Sequence, residues 1–351
     1  MDLNPRIKYS LGTSYLCDRE DTFHDPRGLA FDHRRSLLYV VDSGKQRVQA
    51  FSTDDGSYRG KFSVPGSSDD SFPWGIAIDH DHDRIFVPDE QCVHGWSLPQ
   101  PLQAQALAAP AERQLVADYF QIDAPLTGPY GIAIDQHHQR ILVCTTGDHA
   151  LVVLSLLDGL QLFKIAHLGS APANFFLPAG LAIDHDRHRI IVADSCNHRV
   201  QVLSLIDGSF LFEFGTEGRR RPGQFKLPQG VCIANQGRII VADTENNQLQ
   251  SFTHEGHHIA SFGCGYEYPQ TVAFDEHRGL IAFTSGNRAH VIGANQWLAD
   301  TFTWRPDLHR YAPSSIKQAV LTMTMIRSVV DERSAMSMIP NELLFEIFSF
   351  L

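Results

Sequence analysis

The stretch LPAGLAIDHDRHRIIVADSCNHRVQVLSLIDGSFLFEFG (177–215) reads as one four-stranded antiparallel sheet. Its runs AGLAID, RIIVAD, RVQVL and FLFEF are short, β-branched and aromatic, and the turn-forming DHDRH, SCNH and DG stretches part them; these are strand signals, not helical ones. Working outward, PRGLAFD (26–32), PWGIAID (73–79), PYGIAID (129–135), PQGVCIA (228–234) and PQTVAFD (269–275) align without gaps on PAGLAID (178–184), which makes six copies. Gly28, Gly75, Gly131, Gly180, Gly230 and Thr271 fall at intervals of 47, 56, 49, 50 and 41 residues, the size of a four-stranded propeller blade. The long second interval holds PQPLQAQALAAPAER (99–113), an Ala- and Gln-rich insertion expected to be a loop or a short surface helix.

Each copy continues into a second strand, LLYVVDSG (37–44), RIFVPDEQ (84–91), RILVCTTG (140–147), RIIVADSC (189–196), RIIVADTE (238–245) and GLIAFTSG (279–286). From the glycine position to the Asp or Thr of that strand is 14 residues in four copies and 13 in the last two, so the register holds. The fourth copy resembles the NHL repeat along its whole length, and the first and fifth resemble it well. That resemblance implies an all-β, six-bladed β-propeller with four-stranded antiparallel blades. The blades are expected near residues 24–64, 72–122, 127–168, 177–216, 227–264 and 268–303, in a domain spanning 1–303, with a helical tail over 304–351. An open blade edge invites pairing with another chain. Tyr9-Ser10-Leu11-Gly12-Thr13 is similar to Glu213-Phe214-Gly215-Thr216, so residues 6–13 are expected to close the last blade, with LADTFTW (298–304) as the competing segment.

Hydrophobic residues at 43%, charged residues at 20%, 26 Gly and 18 Pro describe a folded, turn-rich protein. The formal net charge of −11 opposes broad attraction to phosphate backbones. The six cysteines are scattered singly, without the paired spacing of a zinc or redox motif. MDLNPRIKYS has no apolar signal core, and no apolar run is long enough to span a bilayer, so a soluble cytoplasmic protein is expected.

Asp42, Asp89, Asp194 and Asp243 close the second strands; Thr145 and Thr284 replace them in the third and sixth copies. A position that accepts either residue needs an oxygen acceptor, and each Asp is expected to cap the backbone of its own turn. The runs from Asp79 to Asp83, His137-His138, and Asp184 to His188 mix good metal ligands. They lie in turns of different blades, so they read as solvated polar turns, with no metal and no cofactor expected. No nucleophile elbow, P-loop or dinucleotide fingerprint is present, and no catalytic residue is assigned. Propeller lyases and lactonases place His or carboxylate ligands around the central channel; a hydrolase or lyase with a channel metal is therefore one alternative. Arg219, Arg220 and Arg221 form the one dense basic run and, with Lys45, are candidate contacts on the loop-bearing face. Their partner is a protein or, in the alternative of an RNA-binding NHL propeller, a phosphate backbone.

In the tail, SSIKQAVLTMTMIRSVV (314–330) and IPNELLFEIFSFL (339–351) have helical spacing, the second with Pro340 in its first turn and Glu342 at its positive end. Leu343, Leu344, Ile347, Phe348 and Leu351 gather on one face as a partner-binding stripe. The stretch resembles the opening of an F-box at Ile339, Pro340, Glu342 and those five residues, and the two helices are also loosely similar to a SOCS-type box. Either resemblance implies recruitment of a cullin-type ubiquitin ligase; the alternative is a helix folded back on the propeller. Without RING or B-box clusters, any ligase role is that of an adaptor. The expectation for the whole chain is thus a non-catalytic protein-binding scaffold, with substrate recognition for ubiquitin-dependent turnover as its finer form.

Overall fold

The computed structural model describes residues 7–11, 22–65, 72–89, 92–99, 115–116, 118–124, 126–219, 221–263 and 268–294. The chain divides into one unit over Met1–Ala299 and a second over Asp300–Leu351; the tail expectations fall in the second unit, outside the described residues.

Six four-stranded antiparallel sheets follow one another along the chain. Their innermost strands are Pro26–Asp32, Ala77–Asp79, Pro129–Asp135, Pro178–Asp184, Pro228–Ala234 and Pro269–Asp275. In blade four the order outward is Pro178–Asp184, Arg189–Asp194, Arg199–Ser204 and Phe210–Phe214. The strand Arg189–Asp194 shows why its sequence is continuously apolar. Side chains alternate across a strand: Ile190 and Val192 enter the cluster shared with Leu142, Cys144 and Leu151 of blade three, while Ile191 and Ala193 enter the one shared with Ile239 and Val241 of blade five. Six such clusters fill the six seams between blades, so the core is a ring of interfaces. The outer strand Phe210–Phe214 alternates between half-buried and exposed, because only one of its sides meets a neighbour.

The glycines hold the inner ring together by close approach. A Cβ on Gly28, Gly75, Gly131 or Gly180 would lie 2.5 Å from the carbonyl oxygen of Trp74, Tyr130, Ala179 or Gln229 on the next blade, and one on Gly230 would lie 2.7 Å from that of Gln270. At the seam between blades six and one, Thr271 takes the glycine position and the Thr284 hydroxyl donates to the Arg27 carbonyl at 3.1 Å.

Ile7–Leu11 supplies the outer strand of blade six, antiparallel to Arg288–Gly293 with Tyr9 opposite Val291 and Leu11 opposite Ala289. Leu11 is buried, and the Tyr9 hydroxyl donates to the Thr53 carbonyl at 3.0 Å on blade one. Burial and the nearby Asp54 and Asp55 push the Tyr9 phenol up to about 12. The competing segment 298–304 and residues 100–113 of the insertion lie outside the described residues.

Three of the aspartates at the ends of the second strands, Asp42, Asp194 and Asp243, are backbone acceptors, but not for their own turns. Asp42, Asp194 and Asp243 precede short 3-10 turns to which their side chains make no capping bond. Instead Asp42 accepts the N–H of His24 at 2.6 Å, Asp194 that of Phe176 at 2.7 Å and Asp243 that of Lys226 at 2.7 Å, each from the segment that leads into the blade. Their second oxygens accept from Gln49, Gln201 and Gln250 at 3.1, 3.0 and 2.8 Å. The physical reason is that a buried carboxylate must satisfy several lone pairs, and the incoming segment offers otherwise unpaired donors. The next hydroxyl then clasps the following blade: Ser43 donates to the Pro73 carbonyl, Ser195 to that of Pro228, and Thr244 to that of Pro269.

In two of these three cradles an arginine faces the carboxylate, Arg47 at 2.7 Å from Asp42 and Arg199 at 2.8 Å from Asp194. Asp243 has Gln248 at 2.8 Å there, and burial without a countercharge raises its pKa above the usual carboxylate value. Ionisation of Asp243 therefore opposes folding once pH rises past the unfolded-chain value of about 3.9. Gln248→Arg is expected to add about 1 kcal/mol, roughly 2 °C in Tm, at neutral pH. The gain fades as acid protonates the carboxylate, which thermal melts at neutral pH and near pH 4 would check.

Candidate functional site

Antiparallel register puts the starts of all inner strands, the turns that follow the second strands and the connections between blades on one face of the ring, here the upper face. At its centre, the residue between the Pro and the Gly of each copy borders the channel mouth. Arg27 lies over the Trp74 ring, its guanidinium carbon 4.0 Å from the centroid, and Trp74 stacks on Tyr130 at 4.3 Å and 27°. The Tyr130 hydroxyl donates to Gln229 Oε1 at 2.6 Å, crossing blade four, where the corresponding residue is only Ala179. Asp25 anchors the other end, its carboxylate 2.6 Å from Arg27. A cation, an indole, a phenol and an amide, from blades one, two, three and five, thus form one row.

The row is held by backbone geometry. Five of the six inner strands depart from regular pairing between the Pro and the residue after the glycine position, as at Pro129 to Ile132 and Pro178 to Leu181, where the glycine presses against the neighbouring blade. Cation–π contact at such a partly desolvated site contributes about 1–2 kcal/mol. Burial pushes the Tyr130 phenol well above its ordinary range, so it remains a neutral donor. Arg27 Nε and Gln270 Oε1 are buried at this mouth without a hydrogen-bond partner. A buried polar group left so costs about 1–3 kcal/mol.

The channel below encloses about 270 Å³ and is lined by the inner-strand glycines and by apolar side chains such as Leu29, Ile132, Leu181 and Val272. Among the described residues, no histidine and no carboxylate lines it. The one thiol there, Cys232, is pushed up by burial and is held as the neutral thiol.

Of the residues singled out from sequence, Arg219 and Arg221 sit in the connection from blade four to blade five on the upper face, both exposed. Arg219 lies 3.9 Å from Glu245, whose carboxylate is already met by Lys226 at 2.5 Å, so part of its charge is answered internally. Arg220 lies outside the described residues. Lys45 is exposed on blade one and donates to the Thr22 hydroxyl at 2.8 Å. Lys45 shares the upper face with the arginines, but blades five and six stand between them. Leu343, Leu344, Ile347, Phe348 and Leu351 are outside the described residues. The central row was missed in the sequence, although the variable residue between Pro and Gly (Arg, Trp, Tyr, Ala, Gln, Gln) was its signal.

The lower face corrects the expectation that histidines of different blades stay apart. The ring of His33 lies 4.4 Å from that of His80 and 4.5 Å from that of His277, which joins blades six, one and two. Nδ1 of His137 and Nδ1 of His185, on blades three and four, are 3.3 Å apart. These turns leave the innermost strands, the narrow end of each wedge-shaped blade, where neighbouring blades nearly touch. Burial lowers the pKa of His33, His80 and His185, so all three favour the neutral ring.

The rim of blades three and four carries exposed apolar side chains: Leu157 at 77% and Ile206 at 68% in equivalent turns, with Leu160, Leu162 and Leu211 beside or on the outer strands. Apolar exposure gathered on neighbouring elements marks an interaction surface better than scattered single residues do.

Comparison with known proteins agrees with this architecture. The family described as NHL repeat matches residues 177–203 and 225–252, within blades four and five. No curated protein matches the chain. A nidogen/laminin complex structure is similar with a TM-score of 0.51 at 18% identity, over 68% of this chain and 79% of that one. A structural genomics protein of unknown function from Bacteroides thetaiotaomicron gives 0.60 at 13% identity, over 78% and 70%. Streptogramin B lyase gives 0.55 at 12% identity, over 78% and 94%. At these identities the likeness is one of fold. The chain is a six-bladed β-propeller with two blades similar to NHL repeats. Among the described residues, no helix is long and apolar enough to cross a membrane.

Proposed function

We propose that the propeller is a non-catalytic protein-recognition platform whose upper face takes a partner segment at the channel mouth. The observation that carries this reading is the Arg27–Trp74–Tyr130–Gln229 row. Trp, Tyr and Arg are the residue types that dominate binding energy at protein interfaces. The exposed rim of blades three and four supports a protein over a small molecule, and the acidic balance and the Glu245 contact of Arg219 favour it over RNA. In the finer form of this reading, Arg219, Arg220, Arg221 and Lys45 border the partner. The tail stripe of Leu343, Leu344, Ile347, Phe348 and Leu351 passes the partner to an adaptor of a ubiquitin ligase, on the strength of its F-box-like sequence.

Affinity purification of the full-length chain tests both levels. Trp74→Ala with Tyr130→Ala is expected to reduce recovery of the propeller's partner at least about tenfold, as loss of 1.4 kcal/mol or more requires. Leu344→Asp with Ile347→Asp is expected to lose the adaptor and keep that partner. Unchanged recovery in a folded Trp74/Tyr130 variant, or an eluate of RNA alone, overturns the platform reading; retention of the adaptor by the tail variant overturns only the finer one.

A further inference from the structure

We propose that Asp135, His137 and His185 form a site for one transition-metal ion of the zinc class on the lower face, across the seam between blades three and four. Among the described residues, these three alone bring one ligand atom each within 4.8 Å of one another. The separation of the two imidazole nitrogens is the informative distance. Zinc binds imidazole nitrogen at about 2.0–2.1 Å in a tetrahedron, which requires ligand nitrogens about 3.3–3.4 Å apart. His137 Nδ1 and His185 Nδ1 are 3.3 Å apart. Asp135 Oδ1 lies 3.9 Å from His185 Nδ1, a gap that a small turn of the partly exposed imidazoles closes.

The carboxylate is positioned from behind. Asp135 is fully buried, and its Oδ2 accepts from Arg140 at 2.6 and 3.1 Å and from His138 Nδ1 at 2.8 Å, while Oδ1 faces the seam and accepts one long bond, from the His138 backbone N–H at 3.3 Å, which leaves a lone pair for an ion. Such supporting bonds to a ligating carboxylate are a feature of metal sites. Two imidazoles and one carboxylate suit zinc, cobalt, nickel or copper and not the oxygen-seeking magnesium or calcium. They also leave the fourth position of a tetrahedron open. The seam between blades six and one has the same residue types at the same offsets, Asp275, His277 and His33, but there the rings meet tilted at 4.5 Å and 38° and, among the described residues, the ligand atoms do not converge.

The test is titration of the untagged full-length chain with Zn2+ by calorimetry and with Co2+ by visible absorption, where tetrahedral Co2+ gives intense bands. One ion per chain is expected. His137→Gln and His185→Gln each weaken it by more than the roughly 10–100-fold typical of losing a mere supporting contact. His33→Gln with His277→Gln leaves it unchanged. The two ligand histidines are partly exposed, so circular dichroism is expected to be unaltered. Absence of saturable binding, binding that survives His137→Gln and His185→Gln, or uptake of several ions spread over many histidines each overturns the proposal.

Discussion

Gly180→Val is expected to remove about 3 kcal/mol or more of stability, enough to unfold much of a marginally stable domain. The new Cβ meets the Gln229 carbonyl oxygen at 2.5 Å and the Gly230 Cα at 3.1 Å, and both belong to backbone. A flexible side chain turns away from such a clash, but a strand cannot. The inner strand of blade five cannot retreat either, since Gly230 already meets the Gln270 carbonyl with no room for a Cβ. The strain therefore passes around the ring. Gly263→Ala is the matched control: on the outer strand His258–Gly263 a Cβ meets nothing within 4 Å, and the change is expected to stay within about 0.5 kcal/mol. Urea unfolding of both variants decides the matter; a cost under about 1 kcal/mol at Gly180 would refute the close-approach account.

Deletion of residues 1–11 is expected to have an effect of similar or greater size. It removes the ladder between Ile7–Leu11 and Arg288–Gly293, the burial of Leu11 and the Tyr9 contact with Thr53. Burial of one leucine contributes about 2 kcal/mol and each ladder bond about 1 kcal/mol, which together rival the whole stability of a domain. The uncovered strand Arg288–Gly293 then presents unpaired backbone to other chains. Light scattering is expected to show self-association, and a peptide spanning residues 5–13 is expected to restore the monomer by adding the missing strand in trans. A monomeric truncation with an unchanged Tm would contradict the closure.

The repeat was legible because its cause is local. The glycine position recurs since the inner ring leaves no room for a Cβ at five of its six seams, and the second strands are continuously apolar since both of their faces are seams. The two sites were less legible. Arg27, Trp74 and Tyr130 occupy the one position of the motif that the repeat leaves free, so an alignment that seeks sameness looks past them. His137 and His185 stand 48 residues apart in sequence, and only the narrowing of each blade toward the axis makes them neighbours. The aspartates illustrate a third case: their need for backbone donors was readable, but the donors arrive from 17 or 18 residues upstream.

The strand that seals the ring also sets an order of events during synthesis. Ser10 meets His290, 280 residues later in the chain, at 2.8 Å. A ribosome adding about 5–20 residues per second needs many seconds to make that span. Throughout this interval the first strand has no place to go, and blades one to five form an open arc with apolar seams exposed at both ends. Entropic loop closure over such a distance makes the last seam the slow one. The nascent arc is accordingly the species that a cell's chaperones would have to shield, and its lifetime is set by the distance between two strands that end up side by side.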